Sequence, residues 1–302
     1  MKPTSIIFLV VSIILVITGF SVVGVAQGMA NTEGIELVNT PDDDAGNYIY
    51  RYDYDSDSIG KITVNVKDAK INIIGGAAKP YVELVNFADG MYEFSSANRN
   101  LMISNNSDYT KMSGIASLVM NFKGLRSLIN YYNISGLQKT VNIYLCADYP
   151  VKSVDCRLDS GDIEIRDCTT ATDYIAEIGT GNLTVTNVSS TSTLNAAIGT
   201  GNVTVDQSSF SAGDFTITTG NVDASAVIKK LTAKIDTGDL IYTSDHSIGL
   251  YNIRATTIVG KIQIDGEMPE GSYERNDLPT YDKINVDIGT GDITLTSGNP
   301  VG

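Results

Sequence analysis

The chain has 302 residues, of which 42% are hydrophobic, enough to bury a sizeable core in one or two domains. Its 35 acidic residues against 21 basic ones leave a formal net charge of −14. That charge repels polyanions and excludes nucleic acid as an expected partner.

The run from Ile6 to Ala26 carries 21 residues without a charge. As a helix it would be about 31 Å long, the thickness of a bilayer's hydrocarbon core. Lys2 is the one charge before it, and Glu33, Glu36 and Asp42 to Asp44 follow it. This asymmetry predicts a short cytoplasmic tail at 1–5, a transmembrane helix at 6–26 and everything beyond it outside the cytoplasm. The membrane is thus an expected partner through Ile6 to Ala26. Small residues at Gly24-Val25-Ala26 and Gly28-Met29-Ala30 also suit a cleaved signal peptide, which would make the mature chain secreted; both readings carry the rest across the membrane.

Residues 27–57 read as an acidic, Tyr-rich linker. Within it Tyr48, Tyr50, Tyr52 and Tyr54 alternate with other residues and would share one strand face. Asp53, Asp55 and Asp57 resemble the start of a calcium loop, but Ser58 and Val64 stand where the glycine and the closing glutamate are needed, which excludes an EF-hand. "GKITVNVKDAKINIIGG" and "PYVELVNF" read as strands of an irregular beginning to the domain at 58–302. Residues 109–138 lose the alternation and predict a short helix or a surface excursion.

From Cys156 onward a period of about twenty residues takes over. Aligned glycines are Gly161, Gly181, Gly201, Gly220, Gly238, Gly260 and Gly291. Three residues before them stand Leu158, Ile178, Ile198, Ile217, Ile235, Thr257 and Ile288; two after stand Ile163, Leu183, Val203, Val222, Leu240, Ile262 and Ile293. Apolar positions alternate on each side of the glycine, as in strands with one buried face. The glycine between Thr and Asn or Asp predicts a corner with positive φ. One strand–corner–strand unit cannot offset its own ordering entropy, so the units must stack. The predicted fold is all-β: a parallel β-solenoid with rungs of about 20 residues, Leu158, Ile178, Ile198, Ile217, Ile235 and Ile288 stacked inside and the seven glycines at one corner. An antiparallel meander with hairpins at "TGN" is the alternative. A second excursion near 265–283 fills the long last step.

Cys156 falls in an inward column with Ala176, Ala196 and Phe215, and Cys168 aligns with Val188 and Val227, so both are expected as buried thiols, as is Cys146. The corner column Asp162, Asn182, Asn202, Asn221, Asp239, Lys261 and Asp292 predicts side chains hydrogen-bonded along the axis rather than metal ligands. The outward columns stack no two acids in register, and His246 has no evident nucleophile beside it, so neither catalytic residues, nor a cofactor, nor a metal are expected. The sequons at Asn182 and Asn202 follow from "GNLT" and "GNVT", and the threonine columns are too interrupted for an ice-binding face.

"DSGDIEI", "GTGNLTV", "GTGNVTV", "DTGDLIY" and "GTGDITL", behind one N-terminal membrane segment, resemble the putative-adhesin family of bacterial envelope proteins over roughly residues 59–296. The resemblance implies a β-solenoid ectodomain and carries no catalytic residue, because the motif is structural. "IVGKIQI" and the loop after Asp265 depart from it. The function expected is a membrane-anchored, non-enzymatic adhesion or scaffold module whose ligand is an envelope protein or glycan. A polysaccharide lyase or hydrolase on a β-helix and a self-associating structural polymer are the alternatives.

Overall fold

A computed structural model describes residues 47–54, 59–87, 92–105, 136–146, 151–169, 171–280 and 282–298. The membrane segment expected at Ile6 to Ala26, the tail at 1–5 and most of the excursion at 109–138 lie outside those residues. No helix among the described residues is long and apolar enough to cross a membrane.

In chain order the strands are β1 (Ile49–Asp53), β2 (Lys61–Asp68), β3 (Lys70–Ile74), β4 (Tyr81–Val85), β5 (Tyr92–Ala97), β6 (Asn100–Asn105), β7 (Thr140–Tyr144), β8 (Ser153–Ser160), β9 (Ile163–Arg166), β10 (Asp173–Thr180), β11 (Leu183–Thr186), β12 (Thr193–Thr200), β13 (Val203–Thr219), β14 (Val222–Thr237), β15 (Leu240–Ser244), β16 (Asn252–Val259), β17 (Ile262–Ile264), β18 (Ser272–Arg275), β19 (Lys283–Thr290) and β20 (Ile293–Ser297). The alternation of the sequence becomes the alternation of burial. In β10, Tyr174, Ala176 and Ile178 point inward between half-exposed neighbours, and across the corner Leu183 and Val185 of β11 do the same. Parallel pairing then sets Ala176 beside Ala196 and Ile178 beside Ile198, so like packs on like from rung to rung. Leu158, Ile178, Ile198, Ile217, Ile235 and Ile288 are all buried. The pairing through the repeats is parallel, which rules out the meander.

The rungs do not stack in chain order at either end. β2/β3 lies next to β8/β9, and β6/β7 lies outside β2/β3. At the far end β14/β15 is followed by β19/β20, and β16/β17 lies beyond that. The rung of Gly291 is therefore inserted between those of Gly238 and Gly260, where a stack in chain order would place Gly260 directly on Gly238. Among the described residues this gives nine rungs. Antiparallel strands close the stack: β5 pairs with β6, β4 with β7, β1 with β4, and β18 with β16.

Three expectations change in detail. The 27–57 linker ends in a strand of the fold, β1, whose Tyr50 and Tyr52 pack against the core. The excursion at 265–283 contains β18, a cap rather than a simple loop. Cys168 shares its column with Val188, Ser208 and Ala226, not Val227, because a register shift between Asp206 and Ser208 leaves Ser208 beside Ala226 and Ser209 beside Val227. Asp167, Asn187 and Gln207 turn the second corner at φ of 57°, 55° and 48°, and the next rung omits that left-handed residue.

Candidate functional site

All seven corner glycines have positive φ, from 126° at Gly161 to 154° at Gly260. Space is as restrictive as conformation: a Cβ on Gly201 would stand 1.8 Å from the Gly181 carbonyl oxygen, and one on Gly220 would stand 1.7 Å from that of Gly201. Just past each glycine, the side-chain oxygen of one rung accepts the backbone N–H of the next. Asn182 N–H donates to Asp162 Oδ1 (2.8 Å), Asn202 N–H to Asn182 Oδ1 (3.0 Å), Asn221 N–H to Asn202 Oδ1 (2.9 Å) and Asp239 N–H to Asn221 Oδ1 (2.8 Å). Asp292 N–H then donates to Asp239 Oδ1 and Lys261 N–H to Asp292 Oδ1, both at 2.7 Å. Lys261 departs from the motif because it sits on the last rung, where no further N–H needs an acceptor. The column thus has its oxygens occupied by structure, as axial hydrogen bonding requires.

The outer face formed by β9, β11, β13, β14, β15, β20 and β17 reads Glu164, Thr184, Thr204, Asp223, Ile241, Thr294 and Gln263 in spatial order. No two acids are neighbours along it. His246 is exposed, and its backbone N–H donates to Ser244 Oγ. Cys146, Cys156 and Cys168 are buried free thiols. Burial pushes Cys156 up, and it pushes Cys168 up to about 11. Neither thiol is a ready nucleophile at neutral pH. Among the described residues no group of His, Cys, Asp and Glu is arranged to hold a metal ion.

Two ends of the rod carry more individual chemistry. At the N-terminal cap the Arg51 guanidinium lies 3.6 Å from the centroid of the Tyr81 ring, which stacks on Tyr144 at 4.1 Å. The Tyr81 ring is thus engaged by both Arg51 and Tyr144. At the C-terminal end a groove of about 340 Å³ opens between β16, β18 and β19, lined among others by Asn252, Arg254, Glu274, Arg275, Lys283 and Asn285. Arg275 holds its floor: Nη2 donates to the carbonyls of Ile248 (2.7 Å) and Tyr251 (2.9 Å). No sequence signal marked this groove, because Arg254 and Lys283 lie 29 residues apart (283 − 254) and meet only through the inserted rung.

A family model described as Toastrack DUF4097 matches residues 59–267. The chain belongs to this family. Toastrack proteins are a family of unknown function, and the architecture here, nine β rungs among the described residues with antiparallel strands at each end, is this member's form of the fold. A crystal structure of a putative adhesin from Bacteroides fragilis superposes with a TM-score of 0.50 at 13% identity, over 82% of this chain and 96% of that one. A putative adhesin from Parabacteroides merdae (TM-score 0.40, 12% identity, 87% of this chain and 99% of that one) and a protein described as lipid-binding from Parabacteroides distasonis (0.41, 12%, 84% and 97%) are also similar. At 13% identity the likeness to the Bacteroides fragilis structure is one of fold. No curated protein matches the chain.

Proposed function

We propose that this Toastrack protein is a membrane-anchored, extracytoplasmic rod that presents its outer faces to a ligand in the bacterial envelope, without catalysis. The observation carrying this reading is the occupation of the interior: inward columns are filled by packed aliphatic and aromatic side chains, and the grooves open on the outside. A surface of Thr, Asn and spaced charge on a stiff scaffold suits recognition. The likeness to the Bacteroides fragilis protein described as a putative adhesin is consistent with it. At the N-terminal end β5 and β4 cover both strands of the outermost rung, which weighs against end-to-end stacking there; at the other end β18 covers β16, and β17 has no cap strand among the described residues.

The full chain, purified in detergent, is incubated with envelope fractions, and three quantities are read: material retained, sugar released and particle mass by light scattering. Retention without release supports the proposal. Sugar release that vanishes when an acidic side chain is neutralised replaces it with the enzyme, and mass growing with concentration replaces it with the polymer. Protease added to intact cells tests the topology, which fails if the rungs stay protected.

A further inference from the structure

Although the chain carries a net charge of −14, its late rungs set cations side by side. Parallel pairing sets Lys230 of β14 directly beside Lys283 of β19, on adjacent rungs about 4.8 Å apart. Both are exposed, and neither makes an ion pair with a described residue. Like charges directly opposite each other in a sheet are destabilising unless something neutralises them. Every ion pair in the described structure lies instead between Arg51 and Glu177, in the first half of the rod.

Arg254 stands one strand further on. It is exposed, lines the groove with Lys283 and is also without a described ion pair. Its cross-strand neighbour Glu274 is hydrogen-bonded by Asn276 Nδ2 at 3.1 Å. Asn285 is paired with Arg254 in register and is exposed, with its amide free to meet a hydroxyl.

We propose that this groove, together with Lys230 on the rung beside it, binds an anionic saccharide, whose carboxylate or phosphate groups are taken by Lys283 and Arg254 in the groove and Lys230 at its margin and whose hydroxyls meet Asn285 and Asn276. The assignment deepens the adhesion reading and rests on it. A saccharide fits better than its rivals. Nucleic acid has a charge density that three cations within an acidic protein cannot match. A flat lipid surface does not reach into a groove set between β16, β18 and β19. The rung of β19 also lies about 34 Å along the stack from β6, beside which the N-terminal strands are folded.

The test titrates the full chain in detergent with oligogalacturonate, a phosphomannan oligosaccharide and neutral mannohexaose by calorimetry. At least one anionic probe is expected to bind, more weakly as salt rises, and the neutral one not at all; the arm that responds identifies carboxylate or phosphate as the source. Reversing Lys230, Lys283 and Arg254 to Glu should weaken binding by about tenfold or more, while Lys67→Glu with Lys152→Glu changes it by less than about twofold. If the triple variant fails to fold by circular dichroism, Arg254→Gln alone should still show a smaller loss. Equal binding of the neutral probe, an unaffected charge-reversal variant, or equal affinity for a DNA duplex or for phosphatidylglycerol vesicles overturns the proposal. A chain that binds neither anionic probe yet retains envelope material overturns the groove and leaves the adhesion reading standing; probe binding without envelope retention does the reverse.

Discussion

Replacing Gly201 with alanine adds one carbon atom to an exposed corner, yet it should be among the most damaging changes available to this chain. At φ of 145° the backbone occupies a region that is essentially glycine's own, worth about 1–3 kcal/mol of strain for any other residue. The new Cβ would also stand 1.8 Å from the Gly181 oxygen, so the two rungs must part by more than an ångström at the corner. Three hydrogen bonds bridge that spot: Gly181 N–H to the Thr200 carbonyl (2.9 Å), Leu183 N–H to the Asn202 carbonyl (2.9 Å) and Asn202 N–H to Asn182 Oδ1 (3.0 Å). Losing them costs about 0.5–1.5 kcal/mol each. The total is about 3–7 kcal/mol, a large share of a typical stability of about 5–15 kcal/mol. Gly76→Ala is the control, since Gly76 also has positive φ, 77°, but open space where the Cβ would go; it should cost only about 1–2 kcal/mol. Urea unfolding of the full chain reads both variants by far-ultraviolet circular dichroism or by the fluorescence of its 16 tyrosines, there being no tryptophan. Equal midpoints for the two variants would refute the argument that stacking, and not the dihedral alone, demands the glycine.

Asn202→Asp keeps the oxygen that accepts the Asn221 N–H and should be nearly neutral, whereas Asn202→Ala should lose about 0.5–1.5 kcal/mol in the same unfolding assay. Cys168 has an ordinary value of 9.0 raised by burial to about 11, so its thiol stays protonated in the fold where the unfolded chain ionises. The stability it contributes is intact below pH 9, falls as pH climbs from 9 to 11, and amounts to at most about 3 kcal/mol; the parent should therefore lose more of its melting temperature than Cys168→Ala over that window. Deleting residues 283–302 removes a penultimate rung, so β16 and β17 should lose amide-exchange protection together with the open edges of β14 and β15, while β8 to β12 keep theirs.

What could be read from the sequence was local. The corner at Gly201 and the inward pointing of Ile198 depend on a few adjacent residues, and the repetition of those residues gave the parallel stacking. The order of rungs at the ends has no local signature: "DTGD" at Gly238 would stack equally well under "IVGK" or "GTGD". Only Thr257 and Lys261, odd in columns of Ile and Asn or Asp, hint that their rung is last. The rung of β2 and β3 was hidden for a related reason. Its corner position, opposite Gly161, is held by Ala69, so the glycine that marks the repeat is missing from it. The shifted partner of Cys168 followed from the 18-residue step between Gly220 and Gly238, which drops the left-handed residue that Gln207 supplies one rung earlier. The groove at Arg254 and Lys283 inherits the same obstacle, because its cations converge only once the rungs are in their spatial order.

The inserted rung of β19 and β20 also bears on how the molecule is made. A rod whose rungs followed the chain could lengthen as it left the ribosome or crossed a membrane, each turn settling on the last. Here β16 and β17 are synthesised before β19 and β20, the strands on which they rest in the finished fold, so their place in the stack exists only once Lys283 to Ser297 has been made. Lys283 to Ser297 thus act as a keystone, and a polypeptide ended before them is expected to carry β16 and β17 without the strands that seat them, a segment open to proteolysis where a rod built in chain order would merely be shorter.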